Sequence, residues 1–247
     1  MSKWVEGTVV AQRHWAGQLY SLQVEAVLAP FQAGQYTKLA LGVDGEMVAR
    51  PYSFVNAPLE RPHEFYYLVL AENPLTRRLS KLEPGDSIYL APQATGFLTL
   101  AEVPPGEHLW LLATGTALGT FLSILKTEAP WQRFRRVVLV HAVRRAEELS
   151  YQDEIRALLA RHAGQFTFVP VVSREDTDFA LSGRIPKAIE DGRLEARAGI
   201  GLAAEASRLM VCGNPEMVAD TVHALQARGL KKHRRRDPGQ ISVENYW

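Results

Sequence analysis

Residues 109–119 read Leu109-Trp110-Leu111-Leu112-Ala113-Thr114-Gly115-Thr116-Ala117-Leu118-Gly119. An apolar run of strand length gives way to small and hydroxyl-bearing residues and then to a helical pattern. That is the reading of a strand–turn–helix unit in a buried parallel sheet. Glycine in such a turn lets the backbone approach a phosphate at a helix N-terminus, where free N–H groups and the helix dipole favour an anion. The spacing departs from the dinucleotide pattern G-x-G-x-x-G, because Ala113 and Leu118 stand at glycine positions. A tight turn of small residues that serves packing alone would look the same.

Toward the C-terminus the pattern repeats. Apolar runs at residues 137–141, 166–172 and 209–212 read as further buried strands. One helix is expected from Ser150, with Asp153 three positions on as a capping-box variant and Ile155, Leu158, Leu159 and His162 at helical spacing. Another starts at Pro215, carries Val218, Val222 and Leu225 on one face and stops at Gly229. Residues 101–247 therefore read as a doubly wound parallel α/β sheet. A sheet selective for NAD usually carries an acid near the end of its second strand. Here His141-Ala142-Val143 runs into Arg144-Arg145 instead, Ser173-Arg174 follows the next strand, and Gly183-Arg184-Ile185-Pro186 comes soon after. Any one of these arginines could be a solvated surface residue. Their shared place at strand ends suits a doubly charged 2′-phosphate, gripped by forked, charge-assisted hydrogen bonds, and favours NADP over NAD.

Residues 1–100 have a different rhythm. Tyr20, Leu22, Val24 and Ala26 alternate with more polar neighbours, and residues 64–72 are almost wholly aromatic and aliphatic. Gly34, Gly42-Val43-Asp44-Gly45 and Pro84-Gly85-Asp86 punctuate these strands. The expectation is a six-stranded antiparallel β-barrel. Within it, Arg50-Pro51-Tyr52-Ser53 offers a cation for a pyrophosphate, a flat ring for a ring, and a hydroxyl for a ring nitrogen, as a flavin needs. A half-buried strand with alternating faces would also carry these residues. The chain ends Ser242-Val243-Glu244-Asn245-Tyr246-Trp247, and two terminal aromatics call for a flat surface to cover, or for a gap in a core to fill.

Composition narrows the function. Of 247 residues, 47% are hydrophobic and 22% charged, ordinary for a globular protein, and the net charge of +1 argues against generic nucleic-acid binding. One cysteine excludes an intrachain disulfide, a four-cysteine zinc site and an iron–sulfur cluster held by four cysteines of this chain. Seven histidines form no H-E-x-x-H or comparable pairing, so no metal is expected, and His141 reads as a packed or hydrogen-bonded residue. No apolar run is long enough to span a bilayer. The opening Met1-Ser2-Lys3-Trp4-Val5-Glu6 carries an acid and lacks the apolar core of a secretion signal, so the expected compartment is the cytoplasm.

Taken in order and spacing, these segments make the chain resemble a bacterial ferredoxin (or flavodoxin)–NADP⁺ reductase of the plant-type superfamily over essentially its whole length. Arg50-Pro51-Tyr52-Ser53 is similar to the R-x-Y-S flavin motif, and Asn73-Pro74-Leu75-Thr76 stands where the family has a G-x-L-S/T turn. Ala113-Thr114-Gly115-Thr116 resembles the A-T-G-T turn, Cys212-Gly213-Asn214-Pro215 the C-G-N/D-P segment, and Glu244-Asn245-Tyr246 the E-x-Y ending, extended by Trp247 as in the enterobacterial-type subgroup.

The resemblance implies residues 1–100 as an FAD-binding barrel and 101–247 as an NADP-binding domain with an aromatic tail returning to the flavin. Arg50 and the N–H groups of Leu75 and Thr76 would hold the FAD pyrophosphate, Pro51 accompanying them in the motif, while Tyr52 covers one flavin face and Ser53 bonds near N5. Tyr66 would contact the ribityl or adenosine side, Tyr246 the other flavin face and Trp247 the adenine. Thr116 would lie between flavin and nicotinamide. Val143, Arg144, Ser173, Arg174 and Arg184 would surround the 2′-phosphate. Asn214, Pro215, Glu216 and Asp220 would flank the nucleotide. Ser53, Cys212 and Glu244 would serve the hydride step, Cys212 as a soft wall and not as a nucleophile.

Pro74 departs from a position that often offers an N–H, and Leu118-Gly119 replaces the A-P of many relatives. The implied partners are NADPH and an acidic ferredoxin or flavodoxin, with no nucleic acid or membrane, and the implied state is a monomer. Lys231-Lys232-His233-Arg234-Arg235-Arg236, and separately Arg77, Arg78 and Lys81, would steer that acidic partner. A solvated loop would carry the same run, as would a nucleic-acid patch, the least expected on a chain otherwise near neutral. Two rivals use the same residues: an NAD(P)H flavin reductase or reductase component of an oxygenase, and a non-catalytic flavin-binding electron-relay subunit. The arginines at strand ends count against the second.

Overall fold

The computed structural model describes residues 3–245. Its contacts divide the chain into Met1–Thr99 with Leu122–Thr127, and Leu100–Phe121 with Glu128–Trp247.

The first unit is built on strands β1 (Val5–Ala16), β2 (Leu19–Glu25), β3 (Tyr36–Val43), β4 (Glu46–Ser53), β5 (His63–Leu68) and β6 (Ser87–Leu90). They form one antiparallel sheet in the order β4-β3-β6-β1-β2-β5. The two end strands meet through an antiparallel bridge between Phe54 and Phe65 and a Val55 N–H donated to the Glu64 carbonyl at 2.8 Å, which closes the barrel. Alternation places Val9, Leu22, Val24, Leu39, Leu41, Phe65 and Ile88 in its core. Asp44 (φ 50°) and Gly45 (φ 85°) form the two-residue turn from β3 to β4, the left-handed pair that matches strand twist. The apolar stretch at 64–72 is strand only as far as Leu68. Beyond it Asn73 caps the short helix α1 (Pro74–Leu79), which sends Leu75 and Leu79 into the barrel core.

The second unit is a parallel sheet of β7 (His108–Thr114), β8 (Arg136–Val143), β9 (Phe166–Val172), β10 (Leu181–Ser182), β11 (Ser207–Gly213) and β12 (Ile241–Asn245), in the order β10-β9-β8-β7-β11-β12. Its helices are α2 (Leu118–Leu125), α3 (Ala129–Arg133), α4 (Gln152–Arg161), α5 (Ile185–Glu190), α6 (Arg193–Ala198) and α7 (Pro215–Ala227), with α2 contributing residues to both units. Trp110, Leu112, Val138, Val140, Val169 and Val211 are fully buried in its core, which is why these strands read as continuous apolar runs. The chain steps outward from β7 through β8 and β9 to β10, then returns to lay β11 on the other side of β7. Strand order thus reverses between β7 and β11, the topological switch point where open α/β sheets bind ligands at the strands' carboxyl ends.

Helix α7 matches its sequence signals, from Pro215 in the first turn to Gly229 (φ 82°) just past its end. Helix α4 corrects one. Its N-cap is Tyr151 in the left-handed region (φ 60°), not Ser150. The tertiary burial of the Tyr151 ring, 2% exposed, sets how the chain enters the helix and overrides the local capping signal.

Candidate functional site

The carboxyl edge of the parallel sheet collects the loops singled out in the second half of the sequence. After β7, residues 115–117 form a single 3₁₀ turn that leads into α2, with Gly115 at φ 53°. Thr116 is half-buried there. On the other side of the switch point, Asn214 ends β11 and caps α7, its Oδ1 accepting from the N–H groups of Glu216 at 2.9 Å and Met217 at 3.5 Å. Pro215 fills the next position at no hydrogen-bond cost. Glu216 and Asp220 stand exposed one turn apart on α7. Gly213 has φ 151°, and a Cβ there would lie 2.1 Å from Thr114 Oγ1 and 2.7 Å from Met217 Cε. Only glycine lets these two loops approach so closely.

Register places three polar side chains beside this edge. Cys212 pairs with Ala113 on β7 and with Glu244 on β12. Its thiol is buried and pushed well up from its ordinary value by desolvation and by the Glu244 carboxylate, against a hydrogen bond from Thr120. It stays a neutral thiol and makes no nucleophile. Glu244 is pushed up to about 7 by burial, and its Oε1 is buried without a hydrogen-bond partner among the described residues. His141, on β8 opposite Ala113, is fully buried, with Nε2 3.0 Å from the Gly115 carbonyl oxygen.

The arginines stand on three consecutive strand ends, in the spatial order β8, β9, β10. Pairing continues past the strands: Ser173 N–H donates to the Val143 carbonyl at 3.1 Å, Arg174 N–H to the Arg144 carbonyl at 2.9 Å, and Gly183 N–H to the Val172 carbonyl at 2.9 Å. Arg144 and Arg174 therefore share one extended ladder, and Arg184 caps the start of α5 beside it. All three are exposed, and their guanidinium groups meet no carboxylate among the described residues. Nearby arginines behave otherwise: Arg145 pairs with Glu175 at 3.8 Å and Arg193 with Asp191 at 3.0 Å. Three cations on neighbouring strand ends, without a carboxylate partner among the described residues, leave their hydrogen-bond donors available.

In the barrel, Arg50 and Pro51 are exposed near the end of β4, Tyr52 is half-buried and Ser53 buried. The Phe54–Phe65 bridge sets their register against β5, so Ser53 falls opposite Tyr66 and Tyr52 opposite Tyr67. The Tyr52 and Tyr67 rings meet edge to face at 6.3 Å. Burial pushes the Tyr52 hydroxyl up while the Arg50 charge draws it down, and it stays un-ionised. Arg50 Nη1 donates only to the Ala49 carbonyl, at 2.8 Å, which leaves most of its fork unused. The Leu75 and Thr76 N–H groups are already held by Asn73 Oδ1, at 3.1 and 3.3 Å. An anion at that turn would share or displace this cap. Arg77, Arg78 and Lys81 border a shallow surface cavity of about 360 Å³ together with Pro74, Ser80 and Asp44.

Tyr246 and Trp247 lie outside the described residues. The basic run is partly neutralised: Lys231 pairs with Asp237 at 2.5 Å, and Arg235 makes a two-pronged contact with Glu102 at 2.7 and 3.0 Å. Arg234 lies near enough to Asp237 to help hold its carboxyl down, and Lys232, Arg234 and Arg236 form no ion pair among the described residues. No cluster of three or more potential metal ligands occurs among the described residues. None of their helices is long and apolar enough to cross a membrane. Sequence reasoning missed Thr120 and the partner of His141, since both contacts depend on strand register. The role of Gly213 was visible only as a glycine at a strand end.

Comparison with known proteins fits this geometry. Residues 111–223 match the family model of the oxidoreductase NAD-binding domain, the class that the parallel sheet and its carboxyl edge define. The flavodoxin/ferredoxin–NADP reductases of Shigella flexneri and Escherichia coli are each 46% identical over 248 residues, covering 100% of both chains. A solved ferredoxin NADP⁺ reductase from Neisseria gonorrhoeae with bound FAD and NADP superposes with a TM-score of 0.94 at 35% identity, again over 100% of each chain. The chain belongs to the flavodoxin/ferredoxin–NADP reductase family.

Proposed function

We propose that this chain is an FAD-dependent oxidoreductase that passes hydride between NADPH and FAD, and single electrons between FAD and a ferredoxin or flavodoxin. The observation that carries the reading is the row of uncompensated arginines, 144, 174 and 184, at the carboxyl edge of an oxidoreductase NAD-binding domain. Bound FAD and NADP supply the two-electron and one-electron chemistry. The residues present suit both groups. Arg144, Arg174 and Arg184 would hold the 2′-phosphate, with Val143 and Ser173 in the backbone ladder that spaces the first two. The turn at Thr116 and the capped start of α7, Asn214-Pro215-Glu216 with Asp220 beyond, flank the rest of the nucleotide. Arg50 offers its free N–H groups to the FAD pyrophosphate beside the turn at Leu75 and Thr76. Tyr52, half-buried, supplies a ring face and Ser53 a hydroxyl, while Tyr66, 4% exposed and packed against Trp15, presents little of its ring.

At the reacting end the protein contributes position and one adjustable proton. Cys212, neutral and compact, forms a soft wall. Glu244, whose carboxyl burial pushes up to about 7, is suited to give or take a proton near neutral pH. The exposed cations Lys232, Arg234 and Arg236, and the group Arg77, Arg78 and Lys81, steer an acidic electron carrier. A cytoplasmic location belongs to the same proposal, in keeping with the single, buried cysteine, and a monomeric state is carried over from the family resemblance alone.

The test is an anaerobic titration of the purified protein with NADPH and, in parallel, NADH, followed by visible absorbance. Bleaching of a bound flavin by NADPH at far lower concentration than by NADH is the expected result. A protein that neither carries nor takes up FAD would refute the reading. A yellow protein that neither nucleotide reduces would turn it toward an electron-relay subunit.

A further inference from the structure

His141 sits where the parallel sheet otherwise takes aliphatic residues. Its neighbours Leu139, Val140 and Val143 on β8 are apolar, and the imidazole is 0% exposed. One ring nitrogen, Nδ1, is buried with no hydrogen-bond partner. A valine or leucine at this position would bury no polar atom, so the ring's one polar contact must offset what the stranded nitrogen costs. That contact is Nε2 to the Gly115 carbonyl oxygen at 3.0 Å. A carbonyl can only accept, so Nε2 carries the proton and Nδ1 bears the lone pair.

Gly115 opens the turn between β7 and α2 at φ 53°, half-buried, with open space on the side where a Cβ would stand. Thr114, the N-cap of this turn, makes no side-chain capping bond. Within the turn the Gly115 carbonyl accepts the Leu118 N–H. The hydrogen bond from His141 adds a second donor, on the sheet, and with the two together the plane of the peptide is fixed. The Gly115 carbonyl and the Thr116 N–H belong to one planar trans peptide, so orienting the carbonyl points the N–H to the opposite side.

We propose that His141 is a positioning residue for the coenzyme: from beneath the turn it locks the Gly115–Thr116 peptide so that its N–H faces the pyrophosphate of NADP. This rests on the NADP reading above and adds a residue that touches no part of the coenzyme. Burial pushes the imidazole down to about 4, so the ring remains neutral and the donor remains in place across the working pH range.

The test separates the pyrophosphate from the 2′-phosphate. Binding of NADP⁺ and of 2′-AMP, which has no pyrophosphate, is measured by calorimetry on the FAD-loaded protein. His141→Phe should weaken NADP⁺ about tenfold, equivalent to about 1.4 kcal/mol, and leave 2′-AMP within about twofold. His141→Gln, whose amide can still donate, should recover most of the loss, while Arg144→Ala should weaken both ligands. Unchanged NADP⁺ affinity in His141→Phe, or equal loss for both ligands, would overturn the proposal. If the unaltered protein binds neither ligand, the NADP reading itself fails and this proposal with it. Should His141→Phe not fold, the unaltered protein still decides: ring ¹⁵N shifts must show Nε2 protonated and Nδ1 bare between pH 6 and 8, and the opposite tautomer refutes the lock.

Discussion

Replacing Glu244 with glutamine should stabilise the protein at alkaline pH and leave it unchanged in acid. Burial raises the Glu244 carboxyl from 4.5 to about 7 in the folded chain, and its Oε1 has no hydrogen-bond partner among the described residues. Below pH 4.5 the group is protonated in both folded and unfolded states and contributes nothing. Between 4.5 and about 7 the unfolded chain ionises first, so folded stability falls as pH rises. Above about 7 both states are charged and the penalty is constant. At about 1.4 kcal/mol per pH unit, the interval corresponds to about 3 kcal/mol of order-of-magnitude destabilisation. Glutamine keeps the shape and removes the charge. For a chain of this size, about 3 kcal/mol moves the thermal midpoint by about 6–12 °C. The assay is thermal unfolding of the original protein and Glu244→Gln at intervals from pH 4.5 to 8.5. The two should coincide at the acid end and diverge through neutrality, with the variant more stable. A difference that does not depend on pH would refute the reasoning.

Changing Arg144 or Arg174 to alanine should raise the KM for NADPH by about 10–100-fold, as loss of a charged hydrogen bond of about 1.5–3 kcal/mol predicts, and leave the KM for NADH within about twofold. Equal effects on both nucleotides would remove the 2′-phosphate from these loops. Gly213→Ala should lower stability by about 2–3 kcal/mol, read as a drop in thermal midpoint, because its Cβ would stand 2.1 Å from Thr114 Oγ1 at a φ that disfavours a side chain. Reversing the charges of Arg234 and Arg236 together should slow reduction of a ferredoxin or flavodoxin and flatten its salt dependence, with a small dye unaffected in stopped-flow traces. Arg235 is left alone in that experiment because Glu102 already occupies it.

Much of the second unit was legible because its strands are buried on both faces. Residues 166–172 match β9 at both ends, and the runs beginning at Leu109, Val137 and Leu209 each fall inside an observed strand. The Asp44-Gly45 turn was equally plain, since its chemistry is local. What stayed hidden depends on distant partners. The short β10 is two residues long, and Ile241–Asn245 becomes a strand only because β11 offers an edge to pair with. Tyr151 displaced Ser150 as a cap through core burial that no local motif records. The arginines could be named from their positions after strands, but that their guanidinium groups lack carboxylate neighbours is a property of the folded surface. Asn73 is the reverse case: a family turn suggested free N–H groups at Leu75 and Thr76, and an Asn side chain satisfies them from within the chain.

The bare guanidinium row has a practical side. Such a cradle does not distinguish the terminal phosphate of a coenzyme from any other small dianion by charge alone. Inorganic phosphate and sulfate in a buffer will compete for it, so coenzyme affinities measured in phosphate will be weaker than those measured in a buffer of bulky monovalent ions. If the row holds the 2′-phosphate as proposed, the same ions, by binding the folded state, should raise the melting temperature of the nucleotide-free protein. Purification in ammonium sulfate would then stabilise the protein while masking the site that later assays are meant to measure.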